Sequence, residues 1–156
     1  MPITRLQNFL DHHQVKYLVI NHSPAYTARE TAASTLMPRR EFAKAVLLKL
    51  DGGELVMAVV PASRHVDLNA VAEAAGSSTA SLAEEDEFES RFPGCESGAA
   101  PPFGNLFDVP VYADRELMQE DDLAFNAGTH TQVVRLPARD YLELVKPVLG
   151  NFAVEE

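Results

Sequence analysis

Two apolar runs joined by a short glycine-bearing turn constrain the fold of this chain most strongly. The runs cover Ala43–Leu50 and Glu54–Pro61, and Asp51-Gly52-Gly53 lies between them. Apolar runs of this length that flank a turn with glycine are typical of a β-hairpin. We therefore expect two neighbouring antiparallel strands in the middle of the chain.

The remaining segments predict helices and further strands around this hairpin. Helical spacing of apolar residues, capping residues and glycine or proline stops predict five helices, which cover residues 3–13, 27–37, 67–75, 81–92 and 140–148. Runs rich in β-forming residues predict four more strands, at residues 15–22, 109–112, 123–126 and 131–136. A hairpin mixed with helices indicates an α+β fold with a mixed sheet.

The length and composition predict one globular domain over residues 1–156. A chain with 46% hydrophobic and 23% charged residues is ordinary for a globular protein, and its length allows a single core. The apolar runs are too short to span a membrane, and the first residues lack the apolar stretch of a signal peptide. One cysteine, Cys95, excludes an internal disulfide and suits a reducing compartment. These features predict a cytoplasmic protein with no membrane partner.

The net charge of −10 argues against DNA or any extended nucleic-acid surface as a partner. Proteins that bind phosphate backbones need a basic face, because released counterions supply much of the affinity. The acidic residues cluster instead, at residues 84–87 and 120–122, and such runs are typical of solvated loops or helix starts. Basic residues gather once, at Arg39, Arg40, Lys44 and Lys49. Any nucleic-acid contact is therefore expected to be local.

Lys44 is the first candidate for a functional residue. Strand alternation places it on the same face as Phe42, Val46 and Leu48. A lysine on an apolar face must either extend its ammonium to water or be buried with a partner. Two interpretations stay open from the pattern alone: a site residue, or an edge-strand lysine whose ammonium reaches solvent.

The second candidate is a segment rich in glycine, alanine and proline, which we call the loop segment. Small residues let a ligand approach the backbone, and prolines restrict the chain, so that main-chain N–H groups are held in place. The alternative is a purely structural turn. The loop segment consists of Gly98, Ala99, Ala100, Pro101, Pro102, Phe103 and Gly104.

The turn Asn126-Ala-Gly-Thr-His130, called here the 126–130 turn, is the third candidate. Its histidine is suited to act as an acid, a base or a hydrogen-bond donor near neutral pH, and the alternative is an exposed turn histidine. No set of cysteines and histidines has the spacing of a metal site, so we expect no metal and no cofactor. Cys95 as the nucleophile of a thiol-dependent enzyme is a further alternative.

In their order and spacing these segments resemble the YbaK/EbsC family, which is related to the editing domain inserted in bacterial prolyl-tRNA synthetases. The resemblance covers nearly the whole chain. The matching stretches are residues 22–24, 27–30, 42–48, 58–61, 66–68, Gly76, residues 98–104, 126–130 and 140–142.

This resemblance implies a mixed, barrel-like sheet of about six or seven strands flanked by helices. It also implies a trans-acting hydrolase that removes a small amino acid from mischarged tRNA, with tRNA-Pro one candidate. The family's key lysine falls on Lys44, and its glycine–proline loop falls on Gly98 to Pro101 or Pro102. The implied substrate-binding residues are the loop segment together with His22, Gly128, Thr129 and His130.

The implied partner is the acceptor end of a mischarged tRNA. Two sources of tRNA specificity stay open: residues 39–49, or an aminoacyl-tRNA synthetase as a second partner. The chain departs from the family at two positions, with Ile20 where characterised members carry tyrosine and Val133 where members can carry aspartate in the last predicted strand. Substrate choice therefore does not carry over. The alternative function is a non-catalytic protein that binds an aminoacyl group or another small ligand.

Overall fold

The computed structural model describes residues 2–22 and 40–155. The predicted helix over residues 27–37 lies outside this part of the chain. The described residues form four α-helices: α1 (Pro2–His12), α2 (Leu68–Ala74), α3 (Glu85–Arg91) and α4 (Ala138–Val145). Their ten strands are β1 (Leu18–Asn21), β2 (Ala43–Leu50), β3 (Leu55–Pro61), β4 (Arg64–Val66), β5 (Ala80–Leu82), β6 (Val111–Asp114), β7 (Asp122–Asn126), β8 (Gln132–Pro137), β9 (Val148–Gly150) and β10 (Ala153–Glu155).

The predicted hairpin forms the centre of a five-stranded sheet with the order β5-β2-β3-β6-β9. β2 and β3 pair antiparallel, whereas β6 runs parallel to both β3 and β9. β1, β8 and β7 form an antiparallel three-stranded sheet, and β4 pairs with β10. The prediction of an α+β fold with a mixed sheet is confirmed.

The prediction of a barrel-like sheet is not confirmed. Within the described residues, the five-stranded and three-stranded sheets meet at one parallel bridge, between Phe42 and Ala124. The backbone N–H of Ala124 donates to the carbonyl oxygen of Glu41 at 3.0 Å. One bridge joins the sheets at a corner but does not close them. In the part of the chain that the structure describes, three open sheets with ten strands thus replace the expected single sheet of six or seven strands.

The two faces of the hairpin pack against different apolar clusters. Leu47 and its neighbours on one face contact the larger cluster, which contains residues of α1, α3 and α4. Leu48 and its neighbours on the other face pack against α2 and Phe152. Because both faces are covered, the strands are apolar almost throughout, and Lys44 interrupts this pattern.

Two predicted helices have different bounds in the structure. Residues 80–82, at the start of the predicted 81–92 helix, pair with β2 as strand β5 instead. The helix begins only after Glu84, whose side chain forms a capping box with Glu87. The last helix starts at Ala138, directly after Pro137, and ends at Val145. Lys146 adopts a left-handed conformation there, since the residue before a proline disfavours the helical region.

The short strands β4, β5, β9 and β10 were not predicted, because three residues carry too little periodicity to be recognised. The predicted strand at 109–112 begins two residues later. The N–H of Val109 is bonded to the carbonyl oxygen of Gly104, and Pro110 has no N–H, so neither residue can donate to a neighbouring strand. The helix over residues 67–75 is confirmed, with Asp67 as its cap. Across residues 2–22 and 40–155, no helix has the length and apolar character needed to cross a membrane.

Candidate functional site

Lys44 lies at the start of β2, where the strand pairs with β3 but not yet with β5. Its register partner is Val60, whereas β5 reaches only Leu48–Leu50. The lysine is half-buried. It lines a cleft of about 340 Å³, called here the Lys44 cleft, at the open side of the strand. The other residues that line this cleft are Ala45, Val46, Leu47, Leu82, Ala83, Glu84, Glu85, Phe88, Ser97 and Gly98.

The loop segment divides into an exposed beginning and a buried remainder. Gly98 is exposed and has a φ of +77°, a conformation that L side chains rarely adopt. Residues 99–104 are all buried. Among the described residues that line the Lys44 cleft, Gly98 is the one member of the loop segment. The structure therefore brings Lys44 and Gly98 together and directs the rest of the segment into the core.

The buried end of the loop segment is held by aromatic packing and by hydrogen bonds. The ring of Phe103 lies 5.3 to 6.1 Å from the rings of Phe9, Phe125 and Tyr141. The hydroxyl of Tyr141 donates to the carbonyl oxygen of Pro102 at 2.7 Å. Burial raises the pKa of Tyr141, so this hydroxyl stays protonated and available as a donor.

The 126–130 turn is bonded directly to the beginning of the loop segment. The N–H of Gly128 donates to the carbonyl oxygen of Ala99 at 2.8 Å, and the N–H of Glu96 donates to that of Gly128 at 2.8 Å. The Glu96 carboxylate accepts from the N–H of His130 at 2.8 Å. The ring Nε2 of His130 lies 2.7 Å from the carbonyl oxygen of Ser97. Because a carbonyl oxygen can only accept, Nε2 carries the proton in this bond.

These bonds give His130 a structural setting that differs from a solvent-exposed turn histidine. The residue is 7% exposed, and its ring is directed at the backbone of Ser97 beside Gly98. Thr129 bonds to the residue that follows the turn, since its hydroxyl oxygen lies 3.3 Å from that of Thr131. His22 joins the same region through its N–H, which donates to the carbonyl oxygen of Thr131 at 2.9 Å.

Glu96 is the residue of this region that the sequence did not reveal. Its backbone N–H, its carbonyl oxygen and its carboxylate all form hydrogen bonds, to Gly128, Ala99 and His130. The partners in the turn lie more than thirty positions away in the chain. A single glutamate two residues before a glycine has no local pattern that would indicate this role.

Cys95 does not have the properties of a nucleophile. Burial raises the pKa of its thiol to about 11, so the thiol is protonated at neutral pH. The residue is packed against the larger apolar cluster. In the described part of the chain, no group of three or more histidine, cysteine, aspartate or glutamate side chains is placed to hold a metal ion.

The two departures from the family pattern are neighbours in space. Ile20 of β1 and Val133 of β8 are register partners, and Val133 also pairs with Asn126 of β7. Val133 is fully buried, with Ile20 packed against its cluster. Asn126 is 6% exposed, and its side-chain oxygen has no hydrogen-bond partner among the described residues. An apolar pair thus stands at the two positions where the resemblance implies a tyrosine and an aspartate.

A second surface cavity is comparable in size but contains none of the predicted site residues. It measures about 380 Å³ and lies between the 3-10 turn at Arg115–Gln119 and α4. Its lining includes Glu120, Asp121 and Arg139. Volume alone does not identify a site, and the position of Lys44 favours the smaller cleft.

A comparison with known proteins decides the family. A family model described as the aminoacyl-tRNA editing domain matches residues 22–144, a span that includes Lys44, the loop segment and the 126–130 turn. The chain belongs to this family. The multifunctional Ser/Thr-tRNA deacylase ProXp-y of Escherichia coli (strain K12) is 37% identical over 114 residues, which cover 70% of this chain and 68% of that protein.

Two further proteins are similar to this chain over nearly its whole length. The prolyl-tRNA editing protein ProX of Acetoanaerobium sticklandii is 27% identical over 152 residues, which cover 94% of this chain and 92% of that protein. The crystal structure of a proposed trans-editing enzyme for prolyl tRNA synthetase has a TM-score of 0.83 and 20% identity, and covers 98% of this chain and 97% of that one. At 20% identity, the similarity to this crystal structure shows a shared fold alone.

Proposed function

We propose that this protein is a trans-acting deacylase that hydrolyses the ester between a small amino acid and the terminal adenosine of a mischarged tRNA. The observation that carries the proposal is the placement of Lys44 and Gly98 on one cleft. The family and the relatives named for tRNA deacylation and editing support the reaction class. A protein with this substrate works beside the translation machinery, which favours the cytoplasm and a synthetase as a second partner.

The reaction requires donors aimed at the ester carbonyl oxygen. Water attacks the carbonyl carbon, the bond to the ribose oxygen breaks, and that oxygen takes up a proton, which leaves free amino acid and tRNA. Negative charge develops on the carbonyl oxygen during attack, and fixed donors stabilise it. We assign this role to the N–H of Gly98, because the N–H of Ala99 is already bonded to Glu96. The ammonium of Lys44 adds a positive charge, and a substrate hydroxyl positions the water.

Glu96 should act as a positioning residue, because its bonds join the 126–130 turn to the backbone beside Gly98. We expect Glu96→Ala to lower the deacylation rate about ten- to a hundredfold, since small misplacements of a reacting group have effects of this size. Glu96→Gln keeps an oxygen acceptor for the N–H of His130 and should restore most of the rate. Single-turnover hydrolysis measures both.

The matched control is Glu89→Ala, which removes an exposed glutamate of α3. It should hydrolyse at the wild-type rate. If Glu96→Ala and Glu96→Gln lose the same activity, charge rather than hydrogen-bond geometry is involved, and the positioning role is wrong.

Binding of tRNA should depend only weakly on salt. Two of the gathered basic residues are already paired: Arg40 with Glu120 at 3.2 Å and Lys49 with Glu87 at 3.1 Å. Two or three phosphate contacts predict a slope of log affinity against log salt of about −2 to −3. Fluorescence-detected binding of mischarged tRNA across a salt series measures it. A slope of about −8 would reveal a large basic footprint and contradict acceptor-end recognition.

A further inference from the structure

Two arginines from different helices are held by the same short segment of the chain, residues 107–108. Cζ of Arg5, on α1, lies 4.8 Å from the centre of the Phe107 ring, over its face. Nη1 of Arg91, the last residue of α3, donates to the carbonyl oxygen of Asp108 at 3.4 Å. Because Phe107 and Asp108 are consecutive, both guanidinium groups lie in one surface region, which we call the Arg5–Arg91 patch.

The charges of this patch are not neutralised by ion pairs. In residues 2–22 and 40–155, neither Arg5 nor Arg91 has a carboxylate within ion-pair distance, whereas Arg40, Arg64 and Arg135 each have one. An aromatic face and a neutral carbonyl oxygen hold the two arginines, and neither contact cancels a charge. The patch therefore stays cationic on a chain with 23 acidic and 13 basic residues.

The two contacts also leave hydrogen-bond donors available. A guanidinium group presents a planar fork of N–H donors. The Phe107 ring covers the face of the Arg5 group, so the N–H edge stays open, and Asp108 accepts from one nitrogen of Arg91. Arg5 is exposed and Arg91 is half-buried. Guanidinium groups of this kind bind phosphate in a bidentate manner, so the patch has the chemistry of a phosphate site.

A series of aromatic contacts joins the patch to the Lys44 cleft. Phe88 lines the cleft, and its ring lies 5.2 Å from that of Phe92, which lies 4.7 Å from that of Phe107. Arg91 follows Phe88 by three positions in α3, a spacing that places both side chains on one side of the helix. The patch is therefore about one helical turn away from the wall of the cleft.

The charge of Arg5 also acts on the chain just before Gly98. Burial raises the pKa of the Cys95 thiol, and the guanidinium of Arg5 acts in the opposite direction, an effect that requires proximity. Cys95 lies three positions before Gly98, whose N–H is assigned to the ester carbonyl oxygen. The patch is thus close to the reacting end of the proposed substrate.

Resting on the proposed function, we infer that the Arg5–Arg91 patch binds the phosphate backbone of the tRNA acceptor strand, at the nucleotides that precede the terminal adenosine. The ester lies beside Lys44 and Gly98, and the strand runs from the cleft along α3 toward its last residue. The two guanidinium groups supply local phosphate contacts on a protein that has no broad basic face. Such contacts position the backbone and carry no base specificity.

Arg5→Gln and Arg91→Gln test the patch through the salt dependence of binding. Fluorescence-detected binding is measured with a tRNA whose amino acid is attached by an amide, which resists hydrolysis. Each substitution should weaken binding about three- to tenfold at low salt and make the slope of log affinity against log salt shallower by about one. Arg5→Lys keeps the charge and should keep the wild-type slope, whereas a purely structural role for Arg5 would leave the slope of Arg5→Gln unchanged.

Arg139→Gln is the matched control for the loss of one positive charge. Arg139 is exposed, lines the cavity beside α4 and, among the described residues, has no ion-pair partner. This variant should bind with the wild-type affinity and slope. A wild-type slope in both Arg5→Gln and Arg91→Gln, or an equal loss in Arg139→Gln, would overturn the inference.

An aminoacyl adenosine without phosphate separates the patch from the proposed reaction. The wild type, Arg5→Gln and Arg91→Gln should hydrolyse it at the same rate, because it offers no phosphate to either arginine. Hydrolysis by the wild type, together with unchanged tRNA binding in both variants, overturns the patch alone. Weaker tRNA binding in the variants, with no hydrolysis of any substrate by the wild type, supports the patch and overturns the proposed deacylase.

Discussion

Replacing Lys44 by alanine should reduce the deacylation rate about a hundred- to a thousandfold, the loss that follows removal of one electrostatic donor from an active site. The protein should remain folded. Lys44 is only half-buried at the start of β2, and its neighbours on the strand face are apolar, so an alanine fits the strand. We expect the melting temperature to change by less than about 3 °C.

Lys44→Arg should not restore the rate. Arginine keeps the positive charge but presents a broad planar group in place of a compact ammonium. In the Lys44 cleft, that group would occupy the space of the ester. Single-turnover hydrolysis of a mischarged tRNA by both variants, with thermal melts alongside, measures these effects.

Lys49→Ala is the control for the loss of a lysine from the same strand. Lys49 lies on the opposite face of β2 from Lys44, pairs with Glu87 and is not among the residues that line the Lys44 cleft. It should hydrolyse at the wild-type rate. A Lys44→Ala protein that melts normally and deacylates like the wild type would show that Lys44 is an ordinary edge lysine, and the mechanism would be wrong.

The elements that the sequence predicted correctly are those with strong local patterns. The hairpin has two long apolar runs and a glycine turn, and the helix over residues 67–75 has an aspartate cap and a glycine stop, so neighbouring residues suffice to define them. The three-residue strands are different. β10 exists because it pairs with β4, and β5 because it pairs with the edge of β2. Such contacts join distant residues, so no local pattern records them.

The same distinction between local patterns and distant contacts applies to the residues of the candidate site. Lys44 was recognisable because a charged residue interrupts an apolar strand, and Gly98 because glycine and proline gather after it. Glu96 was missed because its partners in the 126–130 turn are distant in sequence. The spatial pairing of Ile20 with Val133 was also hidden, since each is an ordinary residue of a strand. Their register shows that the two departures form one apolar patch.

The two glycines that bound the loop segment should respond differently to alanine. A Cβ at Gly104 would clash with the carbonyl oxygen of Val109 and would lie 2.7 Å from Cγ2 of Val111. The carbonyl of Gly104 also accepts hydrogen bonds from Phe107 and Val109, so the backbone cannot shift freely. A Cβ at Gly98 would meet nothing within 4 Å. An alanine at this position would instead be strained by the positive φ of the backbone.

Gly104→Ala should therefore destabilise the fold by about 1–3 kcal/mol, which lowers the melting temperature by about 3 to 10 °C. The molecules that remain folded should keep most of their deacylase activity, because Gly104 is buried away from the Lys44 cleft. Gly98→Ala should instead lower the deacylation rate with a smaller effect on the melting temperature. Its left-handed conformation costs about 1 kcal/mol for a residue with a side chain, and relief of that strain moves the N–H assigned to the carbonyl oxygen.

Thermal melts and single-turnover rates at a temperature below both transitions separate the two effects. We expect Gly98→Ala to lose at least about tenfold in rate with a smaller change in melting temperature than Gly104→Ala. The opposite result, a folded Gly98→Ala with the wild-type rate, would contradict the assignment of its N–H as a donor. It would leave Lys44 as the source of charge stabilisation at the ester, because Ala99 donates to Glu96 and the following residues are buried.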